Sequence, residues 1–281
     1  MKPLLIIPPA PARWESLQDL LKAEGATDLA DVEVRINRGL SGADDAYAVV
    51  PANGRLIAGA SINKCGHVGV LSHVFTRPEH RGQGHARRLT QTVLSWFDMT
   101  GGKWLYLATT AELDEGLYRK FGFEPIRRAV WAPFDRMTML RLGKGVSAEP
   151  LADLTGETTV RALTRVDWPE MVAMLQYVRG PDPRVPLGES AVTAQVLALD
   201  LVVHQERGAC QLFGAFRGGR LVGMATVATD QPAERTYAML MPHTDTPAAL
   251  REAVAALARE RGYAHVDFPM EALALAGGKG E

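Results

Sequence analysis

Several things are scarce in this chain, and each scarcity narrows its function. Cys65 and Cys210 are the only two cysteines. Two are too few for a disulfide framework, so both read as buried thiols in a reducing, cytoplasmic setting. No apolar run approaches the roughly 20 residues that a membrane-spanning helix needs. The opening Met1-Lys2-Pro3-Leu4-Leu5-Ile6-Ile7-Pro8-Pro9 is stopped by prolines before it reaches the length of a signal-peptide core. No membrane partner is expected. An excess of charge of one sign is also missing, with 31 Lys and Arg against 32 Asp and Glu. That balance gives no electrostatic footprint for nucleic acid. Cys65, His67, His73, His80 and His85 crowd one stretch but fit no zinc spacing, and nucleophile elbows and zinc-protease motifs are absent. No metal is expected.

What is present is a chain of 281 residues, 47% hydrophobic and 22% charged, a globular composition at a length that favours two domains. An internal repeat supports the same division. Gly54-Arg55-Leu56-Ile57-Ala58-Gly59-Ala60-Ser61 resembles Gly219-Arg220-Leu221-Val222-Gly223-Met224-Ala225-Thr226. Each segment follows a short apolar strand (residues 47–50 and 211–216) across a turn signal, Asn53-Gly54 or Gly218-Gly219, which is the mark of a hairpin. A further apolar stretch follows each (68–75 and 236–241). Then comes a helix with apolar residues at three-to-four spacing: Ala86, Leu89, Val93, Leu94 and Phe97 in the first half, Leu250, Val254, Leu257 and Ala258 in the second. Each helix leads to one more strand (104–108 and 265–268). Each half also opens with a helix. Trp14, Leu17, Leu20 and Leu21 face inward in the first, which ends near Gly25; in the second, Asp167 and Glu170 read as a capping pair around Pro169. The expected fold class is α/β with mixed sheets, in two tandem domains, 1–145 and 156–281, related by duplication.

The chemistry concentrates where residues 70–78 run into Glu79-His80-Arg81-Gly82-Gln83-Gly84-His85-Ala86. A strand ends at Pro78, and a glycine loop opens a helix whose first amides have no internal partners and whose dipole adds partial positive charge. Such an arrangement binds phosphate; a glycine loop by itself is equally a tight turn. Arg81-Gly82-Gln83-Gly84-His85-Ala86 resembles the phosphate motif of the GNAT acetyltransferase superfamily, Gln/Arg-x-x-Gly-x-Gly/Ala. Downstream, Leu117-Tyr118-Arg119-Lys120-Phe121-Gly122-Phe123-Glu124-Pro125 is similar to the family's second signature, a tyrosine followed by Gly-Phe. A helix and a strand separate the two motifs. The resemblance covers residues 40–142 strongly and the second half in architecture alone. The family often carries an asparagine seven residues before the tyrosine. Here that position is Ala111, and that contact is not carried over.

The resemblance implies an acyl-CoA N-acyltransferase fold in both domains. It implies an N-acetyltransferase with acetyl-CoA as co-substrate, acting on a primary amine of a small molecule or a peptide. Val74, Phe75 and Thr76 would pair with the pantetheine arm, a backbone amide near Val74 would polarise the thioester carbonyl, and the amides of Gly82, Gln83, Gly84, His85 and Ala86 would cradle the pyrophosphate. Arg81 either adds charge there or points to solvent. His73 is the candidate general base, with Ser72 its neighbour on the opposite strand face, and Tyr118 is the candidate proton donor to the leaving thiolate. In the second half the matching loop is Pro242-His243-Thr244-Asp245-Thr246-Pro247-Ala248-Ala249. It has no glycine, two prolines without amide donors and an aspartate that repels phosphate, so one cofactor site is expected. A non-catalytic acyl-CoA sensor or a scaffold remains the alternative. Monomer and homodimer both stay open.

Overall fold

The computed structural model describes residues 2–110, 116–131, 134–147, 154–177, 194–228, 236–242, 247–260 and 266–267. The chain divides into two compact units, Met1–Ala148 and Glu149–Glu281.

The first unit is built on a seven-stranded sheet: β1 (Leu4–Ile6), β2 (Ala43–Ala52), β3 (Arg55–Cys65), β4 (Val68–Thr76), β5 (Trp104–Thr110), β6 (Phe123–Trp131) and β7 (Phe134–Leu142). They lie in the order β1-β2-β3-β4-β5-β7-β6. Only β4 and β5 pair in parallel; the other neighbours are antiparallel. The hairpin between β2 and β3 turns on Asn53 and Gly54, with φ of 49° and 78°, the left-handed pair that matches strand twist in a two-residue loop.

Both faces of this sheet are covered, and β2 shows it in its alternation. Ala46, Ala48 and Val50 meet Leu89, Val93, Leu94 and Phe97 of helix α3 (His85–Met99). Tyr47 and Val49 meet Leu17, Leu20 and Leu21 of α1 (Trp14–Glu24) and Val32 and Ile36 of α2 (Leu29–Arg38). A strand buried on two faces is apolar without a break, with successive side chains going to opposite layers. α1 ends where Gly25 takes φ 85° and returns its N–H to the Leu21 and Lys22 carbonyls, as a left-handed C-terminal glycine does. The sequence reading has no counterpart for α2, although Leu29, Val32 and Ile36 carry its spacing.

The second unit has strands β8 (Thr159–Ala162), β9 (Cys210–Arg217), β10 (Arg220–Ala228), β11 (Thr236–Pro242) and β12 (Val266–Asp267). Its sheet order is β12-β11-β10-β9-β8. Helices α4 (Trp168–Tyr177) and α5 (Ala194–Glu206) lie between β8 and β9 in the chain, and α6 (Pro247–Glu260) lies between β11 and β12. The first five strands of the first unit have the same order, the same senses and the same placement of helices, with β11 and β12 parallel as β4 and β5 are. One detail differs from expectation. The capping box is formed by Thr164 and Asp167. Glu170 is instead buried against Arg220, whose Nε donates to it at 2.8 Å. Residues 111, 180–186 and 243–246, which bear on the sequence reading, lie outside the described residues.

Gly69 sets how closely α3 approaches the sheet: a Cβ there would meet the Phe97 ring at 2.6 Å and Leu105 at 3.0 Å. Phe97 is fully buried and has nowhere to move. Gly69→Ala is expected to destabilise the first unit by about 1–3 kcal/mol, read as a lower urea midpoint.

Candidate active site

Strand β4 keeps its parallel partner for three residues, with Val68, Gly69 and Val70 opposite Trp104, Leu105 and Tyr106. From Leu71 onward it pairs with β5 no further, while β5 continues to Thr110 in register with β7. The two strands therefore part, and beyond Val70 the edge of β4 that faced β5 has no strand partner there.

On its other edge β4 carries a bulge. Gly59 is opposite Phe75 and Ser61 is opposite Ser72, so His73 and Val74 together face Ala60 alone. His73 takes φ 54°, a left-handed conformation that costs about 1–3 kcal/mol and persists only when the surroundings hold it. The extra residue resets the alternation: Leu71 and Val74, three apart, pack against the same α3-facing cluster. Phe75 turns to the α1 side, and the buried Thr76 hydroxyl has no hydrogen-bond partner.

What holds His73 is a clasp of two carboxylates. Its Nδ1 lies 3.2 Å from Glu24 Oε2, at the end of α1, and its Nε2 lies 3.2 Å from Asp28 Oδ2, just before α2. Burial alone would lower the ring's pKa, but hydrogen bonds and charges from Asp28 and Glu24 outweigh it and raise it to about 10. Burial likewise works to raise Asp28, and the hydrogen bond and charge of His73 overcome it, so this carboxyl sits below its usual range. His73, expected as a general base, lies in a different arrangement: both of its ring nitrogens are 3.2 Å from carboxylate oxygens, which favour the protonated ring. Behind the clasp, Arg35 of α2 is 1% exposed. Its Nε donates to Asp31 at 2.7 Å and Nη1 to Asp45 at 3.3 Å, while Asn63 donates to Asp45 at 2.9 Å. None of these partners was legible as a site residue in the sequence. Asp28 before an apolar periodic run was the one available signal.

After β4, Arg77 is an anchor rather than a ligand-facing cation. Its Nε donates to the Leu56 carbonyl at 2.9 Å and Nη2 to Asp19 Oδ2 at 2.6 Å, fixing the strand end to β3 and α1. Arg81 is exposed and donates through Nε to the Thr76 carbonyl at 3.2 Å. Gly82 and Gly84 take φ of 77° and 71°. No atom lies within 4 Å of a Cβ placed on Gly82, and the nearest to one on Gly84 is Arg88 Nη1 at 3.5 Å, so the loop surface is open. Gly84 caps α3, and no side chain satisfies the helix's first amides. Arg88 braces the loop, donating to the Gln83 carbonyl at 2.8 Å and to His85 Nδ1 at 3.2 Å; His85 Nε2 lies 3.3 Å from Gln83 Oε1. Burial first, then Arg88, hold His85 below its ordinary pKa, so it is neutral with its proton on Nε2. Open amides at a helix start with guanidinium groups beside them suit an anionic diphosphate.

Tyr118 is 8% exposed and meets Phe123 edge-on, ring centroids 5.9 Å apart. A cavity of about 330 Å³ lies between α3 and the Tyr118 segment, lined by Arg87, Gln91, Gly116, Leu117, Lys120 and Phe121. Among the described residues, no group of three or more His, Cys, Asp or Glu side chains is placed to hold a metal. No described helix is long and apolar enough to cross a membrane.

Residues 13–123 match the sequence model of the family described as "Acetyltransferase (GNAT) family", which identifies this segment, about two fifths of the chain, as a GNAT acetyltransferase domain. The match takes in α1, α2, the bulged β4, the glycine loop and Tyr118. No curated protein matches the chain. Among solved structures, Escherichia coli ElaA is similar at 21% identity and a TM-score of 0.42, over 50% of this chain and 99% of that one. The ribosomal-protein-S18-alanine N-acetyltransferase from Escherichia coli is similar at 14% identity and 0.42, over 52% and 99%. An aminoglycoside 6'-N-acetyltransferase complexed with coenzyme A is similar at 17% and 0.38, over 50% and 96%.

The clasp makes stability depend on pH with a definite sign. The His73 pKa is raised, so its stabilisation is complete below the ordinary 6.5, declines as pH rises from there and is lost past about 10. Asp28 is lowered, so its share is present above the ordinary 3.8 and is lost as pH falls through its depressed folded value. His73→Asn keeps a residue that tolerates φ > 0 and removes the charge. The stability gap between wild type and this variant is expected to shrink by on the order of 2 kcal/mol between pH 6 and 9, measured by urea denaturation across that range.

Proposed function

We propose that the first unit is an acetyl-CoA-dependent N-acetyltransferase acting on a primary amine of a small molecule or peptide. The observation that carries this reading is the continuity of the β4 edge, parted from β5 after Val70, with a glycine loop that opens α3 without a side-chain cap, inside the segment matched by the family. An extended pantetheine arm would lie along residues 74–76 as a strand does, pairing with backbone, though the Thr76 carbonyl already accepts from Arg81. The amides of residues 82–86 would hold the pyrophosphate, with Arg81 close by. Arg87 and Lys120, which line the cavity beside α3, would add positive charge for the nucleotide end.

In the transfer, the amine nitrogen attacks the thioester carbon, the C–N bond forms, and the C–S bond breaks. The Val74 amide stabilises the charge that develops on the carbonyl oxygen. The Tyr118 hydroxyl gives its proton to the departing sulfur, and the proton that the attacking nitrogen loses passes through water and restores the tyrosine. A sensor that binds acyl-CoA without turnover is the second reading. It is favoured by one observation, that both ring nitrogens of His73 are taken up by carboxylates.

We read the second unit as a copy that has lost this site. The strand order repeats, but β10 and β11 stay in unbroken register from Gly223 opposite Pro242 to Val227 opposite Ala238, with no bulge to turn an amide outward. Its loop sequence has no glycine and ends in Pro247, the first residue of α6.

Calorimetric titration with acetyl-CoA is expected to give one equivalent bound, abolished by Gly84→Glu, which puts a side chain at φ 71° and a carboxylate where the diphosphate would sit. Two equivalents would overturn the reading of the second unit, and no binding would overturn the enzyme. Tyr118→Phe keeps the ring packing; with an amine found by screening it is expected to lower kcat by about 100-fold or more and leave KM for acetyl-CoA within about twofold.

A further inference from the structure

The His73 clasp is not used by any step above, yet it sits at the bulge of β4 against β3, three residues after β4 parts from β5. We propose that His73 is a positioning residue: clasped between Glu24 and Asp28, it holds the β4 bulge in the shape that presents the Val74 amide to the thioester carbonyl. The proposal rests on the acetyl-CoA reading of the first unit and adds to it a residue that acts through another.

Three observations converge on it. His73 and Val74 together occupy the bulge opposite Ala60, so the orientation of the Val74 amide is set by the torsions of His73 and not by an unbroken sheet ladder. His73 is a non-glycine residue held at φ 54°, a conformation that glycine or asparagine reaches more readily; its selection at this spot calls for something its side chain does. That side chain bridges two carboxylates from different elements, at 3.2 Å each. Glu24 ends α1, and Asp28 lies in the short connection to α2. Without a cation between them, two half-buried carboxylates would face each other and push the connection away from β4. With it, the connection and the bulge are a single unit.

The charged groups that face His73 are Glu24 from α1 and Asp28 from the connection. Arg35 of α2 acts on Asp28. From β3, the neighbour is uncharged: Ser61 Oγ donates to the Ser72 carbonyl at 3.2 Å. The imidazole therefore answers chiefly to these two carboxylates, which favour its protonated form.

The test uses the ¹⁵N-labelled full chain titrated with CoA and with acetyl-CoA. In wild type both ligands are expected to shift the Gly82 and Gly84 amides, and acetyl-CoA alone adds a shift at Val74, because only it carries the thioester carbonyl. In His73→Asn the loop shifts persist and the acetyl-specific shift at Val74 falls to about a third or less. Glu24→Gln, which removes one side of the clasp and serves if the first variant does not fold, is expected to lie between them. A Val74 response in the variants equal to wild type overturns the proposal. Loop shifts in wild type without an acetyl-specific response at Val74 overturn it too, and leave the cofactor reading intact. No loop shift with either ligand overturns both. A pH series by calorimetry with a non-hydrolysable ketone analogue of acetyl-CoA gives a second readout. The preference for the analogue over CoA is expected to hold from pH 6 to 9 in wild type, to fade as pH passes about 10, and to be weak at every pH in His73→Asn. Parallel profiles in the two proteins sink the idea, since a residue that merely fills space would shift the level and not the pH dependence.

Discussion

The parting of β4 from β5 after Val70 gives up backbone hydrogen bonds that a continuous sheet would keep, each worth about 0.5–1.5 kcal/mol net, and the first unit is arranged around that gap. Below it the two strands are bound tightly. Gly69 lets the Phe97 ring sit directly on β4, and both neighbouring strands are buried by α3. Above it β5 is kept straight by β7. β4 is bent away by its bulge and pinned at its end by Arg77, which reaches back to β3 and α1. A gap so framed cannot close by relaxation of either strand, because each is held from its far side.

The charged groups of the unit fall into two sets with different duties. On the α1 and α2 side, Glu24, Asp28, Asp31 and Asp45 surround His73 and Arg35. The Arg35 contacts are buried and the His73 contacts half-buried, and they tie the helices to β2 and β4. Removing one partner would leave an uncompensated charge, at a cost well above that of an exposed pair. On the α3 side, Arg81 and Arg88 brace the loop through carbonyl oxygens and remain at the surface, where their positive field is available to an anion. The first set shapes the cleft; the second charges its rim.

The second unit shows what the same chain path does without those devices. It keeps the order of strands and helices, a buried Glu170–Arg220 pair and its own apolar cluster of Ala215, Val222, Ala225, Val227, Leu250 and Val254. Its β10–β11 register is unbroken. Burial of two sheet faces is enough to preserve the architecture. The bulge and the glycine loop are not needed for it.

The sequence by itself determined the local elements and the loop. Asn53-Gly54 fixed a hairpin through φ > 0, three-to-four spacing fixed α1 and α3, and Gly82 and Gly84 marked an open backbone before a helix. These are legible because each depends on residues adjacent in the chain. Helix α2 was legible too, in Leu29, Val32 and Ile36 with Gly39 directly after it, but it is short and follows closely on α1. The bulge was not. Which residue of β4 is extra depends on its register with β3, and register is set by packing on both faces. The state of His73 was further still from the sequence. Its ordinary pKa suits a base, and only the fold brings Glu24 and Asp28, 49 and 45 residues away in the chain, to within hydrogen-bond distance. Electrostatics between residues so distant in sequence is a property of the tertiary structure alone, because charge acts through space and the sequence records only order.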